Sequence, residues 1–108
     1  MTNNTVERRS GTIAIATPGS AGTEAIVING LCRWLELLTD DMEDTDSTLL
    51  KVLSPSGGTL YQSGTTAEST RLTVGTVFPM HGTVSLEAHA EGTQSADKTL
   101  KYDIYYTP

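Results

Sequence analysis

Apolar and polar positions alternate along most of this chain, and a period of two marks strands with one buried face. Thr12-Ile13-Ala14-Ile15-Ala16 opens the pattern. In Ser47–Leu53, Leu50 and Val52 oppose Leu49, Lys51 and Leu53. Thr59–Gln62 returns after Ser54-Pro55-Ser56-Gly57-Gly58, the clearest hairpin signal in the sequence. Thr70–Val74 points Leu72 and Val74 inward, and Thr83–Ala88 sets Val84, Leu86 and Ala88 against Thr83, Ser85 and Glu87. Lys98–Tyr106 carries Leu100, Tyr102, Ile104 and Tyr106 on one face and Thr99, Lys101, Asp103 and Tyr105 on the other. Thr17–Gly22, Ser63–Ser69 and Glu91–Asp97 read as turns, and Phe78–Gly82 as a Pro/Gly-bounded crossing.

Ala25–Leu38 fits two periods. Ile28, Leu31, Trp34, Leu35 and Leu38 form a helical stripe, whereas Ile26, Val27 and Ile28 begin a strand that continues through Cys32, Trp34 and Leu38 on one face. On the strand alternative Gly30 is a bulge and Trp34 a core residue. A helix starting at Asn29 would carry Gly30 in its first turn and end without a glycine cap, and every other periodic segment has period two. The strand is therefore favoured.

Seven short strands separated by turn chemistry predict an all-β fold: a single antiparallel β-sandwich, jelly-roll or immunoglobulin-like, over residues 11–108. Residues 1–10 are polar and aperiodic and are expected to form a flexible N-terminal arm ending in Glu7-Arg8-Arg9.

With 108 residues and 37% hydrophobic content, the chain suits one modest core. A formal net charge of -6 and just seven Lys and Arg argue against nucleic acid as a partner, because phosphate binding requires clustered cations. No run approaches the roughly 20 apolar residues that span a bilayer, so no membrane partner is expected. The N-terminal residues lack the apolar segment of a signal peptide, which predicts synthesis and retention in a cytoplasm. Cys32, the single cysteine, excludes an internal disulfide and reads as a small buried hydrophobe.

Little in the sequence carries catalytic chemistry. His81 and His89 are the two imidazoles, and no nucleophile elbow, HExxH motif or phosphate loop accompanies them, so no enzyme and no cofactor are expected. The five carboxylates between Asp40 and Asp46 could offer oxygens to calcium, but the EF-hand spacing and its glycine are missing. A solvated acidic loop without metal is the expectation. Tyr61, Tyr102, Tyr105, Tyr106 and Trp34 could line a sugar-binding face; Tyr102 and Tyr106 read more simply as core residues with a polar tip, leaving Tyr105 outward.

Taken together, the polar arm, the stretch Asn29-Gly30-Leu31-Cys32-Arg33, the T-D-D-x-x-D-T-D loop, the run T-L-L-K-V-L-S-P-S-G-G-T-L-Y-Q-S-G, the P-M-H-G-T-V-S-L strand and the I-Y-Y ending resemble a known group. They are similar to the small β-sandwich structural proteins of tailed bacteriophages, of the capsid decoration or cement type. The resemblance implies a homo-oligomer, trimer or dimer, without an active site. It also implies binding to the major capsid protein on the outer surface of a virion assembled in the host cytoplasm. Arg8, Arg9 and Tyr105 are the candidate interface residues, and a glycan- or receptor-binding module of a phage tail or baseplate is the alternative.

Overall fold

The structure, a computed structural model, describes residues 5–108. Among these residues nine strands are present: β1 (Glu7–Ile15), β2 (Gly19–Val27), β3 (Gly30–Leu38), β4 (Thr48–Leu53), β5 (Thr59–Gln62), β6 (Arg71–Val74), β7 (Phe78–Met80), β8 (Thr83–Gln94) and β9 (Lys98–Thr107). Among the described residues the sole helical element is a 3-10 turn at Glu43–Thr45.

All pairings are antiparallel. One sheet runs β1-β9-β3-β6, with β7 pairing β3 as well, and the other runs β2-β8-β4-β5. Since β6 and β7 meet successive parts of the same strand, they act as one interrupted edge strand. The pairs β1–β9, β2–β8, β3–β6/β7 and β4–β5 are then nested one inside the next, like a long hairpin rolled into two layers. That is the strand order of a jelly roll, which decides between the two sandwich types.

Alternation is right where it is clean. Leu50, Val52, Val84, Leu86, Ala88, Leu100, Tyr102 and Ile104 are buried between the sheets, with Ile13, Ile15, Leu35 and Leu37. Burial of this apolar area is the main stabilising term.

The long apolar segment departs from expectation. Ala25–Leu38 is extended, but it is two strands in different sheets, with the chain crossing over at Ile28-Asn29. Gly30, expected as a bulge, sits just after that corner at φ 147, where a Cβ would press on the backbone of Thr107 and Pro108. The bulge lies one turn of the pleat later: Cys32 pairs with Tyr106 and Trp34 with Tyr105, so Arg33 is the extra residue. Beyond it the inward set becomes Leu35 and Leu37. Trp34, expected in the core, is 41% exposed, and Leu38 also faces out.

Three other boundaries move. β1 starts at Glu7 and not at Thr12, so Glu7–Ser10 belong to the sheet and not to an arm; residues 1–4 lie outside the described residues. Phe78–Met80 is a short strand, with Phe78 and Met80 buried. Within the expected turn Glu91–Asp97, strand β8 continues to Gln94.

The two open sides of the sandwich close differently. On one, β1 and β2 approach so tightly that a Cβ on Gly22 would run into the Ala14 carbonyl oxygen. On the other, Tyr61 of β5 stacks on Phe78 of β7 with ring centroids 5.8 Å apart. Gly22→Ala is expected to cost about 1–3 kcal/mol in urea denaturation, as overpacking does. Gly64→Ala, where a Cβ meets nothing within 4 Å, should change stability by less than about 0.5 kcal/mol.

Candidate functional site

The outer face of the β1-β9-β3-β6 sheet carries two of the three expected interface residues, Arg8 and Tyr105. Antiparallel register places Arg8 opposite Tyr105, and Tyr105 opposite Trp34, so three strands contribute one row. The ring of Trp34 extends toward Gly75, beyond the end of β6. In the next row Ser10, Asp103, Glu36 and Thr73 follow each other across the sheet. The Arg8 Nε donates to Asp103 Oδ1 at 3.0 Å and to Ser10 Oγ at 2.8 Å. Exposed as it is, this ion pair fixes the arginine's direction more than it stabilises the fold.

Arg9 does not join the row. Its side chain is on the opposite side of β1, and Nη1 donates to the Val27 carbonyl oxygen at 3.1 Å, bridging the two sheets at their open end. Arg8 and Arg9 are therefore strand residues that point apart. Arg33, which sequence reasoning left out, stands on the bulge and donates from Nε to Thr107 Oγ1 at 3.1 Å. Val6, Val27, Trp34 and Val77 are exposed at this same end of the molecule, where β1 begins and β9 finishes. Neither Trp34 nor Arg33 could be located by alternation, because the bulge at Arg33 reverses the faces.

The other tyrosines occupy the interior or its margins. Tyr102 is buried, and burial pushes its hydroxyl pKa up. Tyr106 is half-buried, with burial and a hydrogen bond to Glu7 raising its pKa. Tyr61 belongs to the stack on Phe78. Cys32 is fully buried, and burial raises its thiol to about 11, so it stays protonated and unreactive at neutral pH.

The acidic loop is at the far end, and its carboxylates accept hydrogen bonds from the protein. Asp40 Oδ2 takes the Thr99 N–H at 2.8 Å, Asp46 Oδ2 takes Gln94 Nε2 at 2.9 Å, and Glu43 accepts from the backbone N–H and hydroxyl of Ser95. Those Ser95 bonds hold the Glu43 pKa below its ordinary value, and Ser47 does the same for Glu91. Among the described residues no group of three or more His, Cys, Asp or Glu is arranged to hold a metal ion. His81 lies in the turn before β8, and His89 Nε2 meets Glu87 Oε1 at 3.0 Å on β8 itself.

Gln94 organises that end, and the sequence hid it within an apparent turn. Its fully buried amide donates to Asp46 and to the Gly92 carbonyl oxygen, and accepts the Glu43 N–H at 2.8 Å.

No protein-family model matches the chain, and no curated protein matches it. Solved structures do match in fold. A chain of the cyanophage Pam1 capsid asymmetric unit superposes with a TM-score of 0.57 at 21% identity, over 95% of this chain and 85% of that one. The SPBc2 prophage-derived protein YomS gives 0.54 at 13% identity, over 97% and 98%. A subunit from the disulfide-linked pili of Bacillus endospore appendages gives 0.54 at 12% identity, over 97% and 90%. At these identities the shared property is the fold, carried by structural proteins and a prophage protein.

Two predictions follow from the loop end. Gln94→Leu, near in volume, leaves the Glu43 N–H and Asp46 without their partner and should cost roughly 2–4 kcal/mol in chemical denaturation. Glu43 and Glu91 have folded-state pKa values below their unfolded ones. Their contribution is thus complete above the unfolded pKa of about 4.5 and is lost as pH falls through the lower folded value. Ser95→Ala should move the acid unfolding midpoint to higher pH, as read by thermal melts across the acid range.

Proposed function

We propose that this chain is a non-enzymatic structural protein of a tailed-phage virion, a decoration protein bound to the outer surface of the capsid shell. The observation that carries the proposal is the fold match to a Pam1 capsid chain, across 95% of this chain and 85% of that one. The likeness to a prophage-derived protein points the same way. The chemistry of the chain agrees with it: an acidic sandwich whose histidines sit apart has its surface as its working part. On this proposal the partners are the major capsid protein and further copies of the chain, as a trimer or dimer matched to the shell's own symmetry axes. Synthesis in the host cytoplasm would precede attachment.

One observation favours a second function, glycan or receptor binding on a tail or baseplate. Trp34 and Tyr105 are neighbours across β3 and β9 on an outer sheet face, and adjacent aromatic rings are a common platform for sugars.

Sedimentation tests the proposal. Shells of the phage encoding the chain, prepared without it, are mixed with the purified protein and pelleted. Saturable co-sedimentation at a fixed number of copies per shell is expected. Absence of binding, together with retention on immobilised host glycans, would replace the first function with the second.

A further inference from the structure

Asn29 and Gly30, at the corner where the chain leaves one sheet for the other, are the single Asn-Gly step in the sequence. Asn29 is exposed between two strands, and its Oδ1 accepts the backbone N–H of Gly82 at 2.9 Å. Gly30 has φ 147, and a Cβ there would stand 2.5 Å from the Thr107 carbonyl oxygen. The fold therefore requires glycine after this asparagine, and glycine is the residue that leaves its own backbone nitrogen least shielded. Gly30 faces Met80 at the end rung of the pairing between β3 and β7, a strand of three residues.

We propose that Asn29 is a self-modification site, converting to aspartate and isoaspartate through a cyclic imide formed with Gly30 while the rest of the chain stays folded. The Gly30 amide nitrogen gives its proton to solvent and attacks Asn29 Cγ. The Cγ–Nδ2 bond breaks, Nδ2 leaves as ammonia with a proton from water, and the imide remains. Water then opens the ring. Cleavage between Cγ and the Gly30 nitrogen leaves aspartate; cleavage between the Asn29 backbone carbonyl carbon and that nitrogen leaves isoaspartate. Nothing is oxidised or reduced, and water is the co-reactant. Negative charge develops on Oδ1 during the attack. The Gly82 N–H already bonded to that atom is placed to stabilise it, as an oxyanion-hole donor does. The gate is the rung between Gly30 and Met80, whose opening frees the nitrogen and needs local fraying alone. Each conversion adds one negative charge, at the joint between the sheets, to a chain of formal net charge -6. The inference is independent of the function proposed above.

The test incubates the full chain at mildly alkaline pH, folded and in denaturing urea. Mass spectrometry of the tryptic peptide 10–33, whose one side-chain amide is Asn29, follows the exchange of NH2 for OH. Opening of one rung keeps the folded rate within about a hundredfold of the unfolded one. Reaction through global unfolding would run about a thousandfold slower or worse. Conversion within that hundredfold is expected, and a slower folded rate overturns the proposal. Gly22→Ala, which weakens the fold from far along β2, should leave the rate unchanged. A rate that rises with the lost stability would mean that the reaction awaits global unfolding, and overturns it. Asn29→Gln should lose the mass change, because glutamine would have to close a larger ring. Conversion of that variant at the wild-type rate would mean direct hydrolysis of the amide, and overturns the route through Gly30.

Discussion

The two ends of the chain must pair with each other. Glu7 faces Tyr106 and Ile15 faces Lys98 across β1 and β9, and β9 is also the central neighbour of β3. Remove that pairing and β3 loses one of its two partners, Ile13 and Ile15 lose their place over the core, and the Arg8–Tyr105–Trp34 row comes apart. The rest of the topology nests inside it. The β4–β5 hairpin closes over a short turn, β3–β6/β7 closes around the hairpin, and β2–β8 around both. Each enclosing pair brings together more distant segments, at a loop-closure cost that grows slowly with length and is offset by the apolar area buried between the layers.

That nesting decides what could be read from residues alone. β4, the first half of β8 and β9 as far as Ile104 alternate cleanly, because one face meets the core and the other turns away from it. The corner at Ile28-Asn29 is different. Both flanking strands are apolar and no proline or glycine cluster separates them, so one long strand looked as good as two. Gly30 was recognised as a break, but its role is to let the chain pass close to Thr107 and not to bulge. Arg33 gave no sign of being the extra residue, and Trp34 was assigned to the wrong face as a direct result. Glu7–Ser10 looked like an arm because its inward position is Arg9, which closes the open end of the sandwich by bonding the Val27 carbonyl oxygen and so need not be apolar.

The candidate surface was legible one residue at a time. Tyr105 and Arg8 could each be picked from composition and alternation, but their adjacency is a matter of register, which sequence does not print. Gln94 was harder still. A glutamine between glycine, threonine and serine has the chemistry of a turn, and here it is a fully buried hub whose three hydrogen bonds tie the acidic loop to β8.

Net charge averages over an uneven distribution. A value of -6 describes a uniformly acidic protein only if the charges are mixed, and here they are not. Much of the loop acid serves the fold: Asp40, Glu43, Asp46, Glu68 and Glu91 accept backbone or side-chain hydrogens that the loops would otherwise leave unsatisfied. The arginines at the other end are held differently. Arg8 has Asp103, whereas Arg9 and Arg33 bond neutral oxygens, the Val27 carbonyl and the Thr107 hydroxyl, which direct the guanidinium without cancelling its charge. Acid bonded into the loops at one end and arginine bonded to strand oxygens at the other hold the two ends of the sandwich by different means.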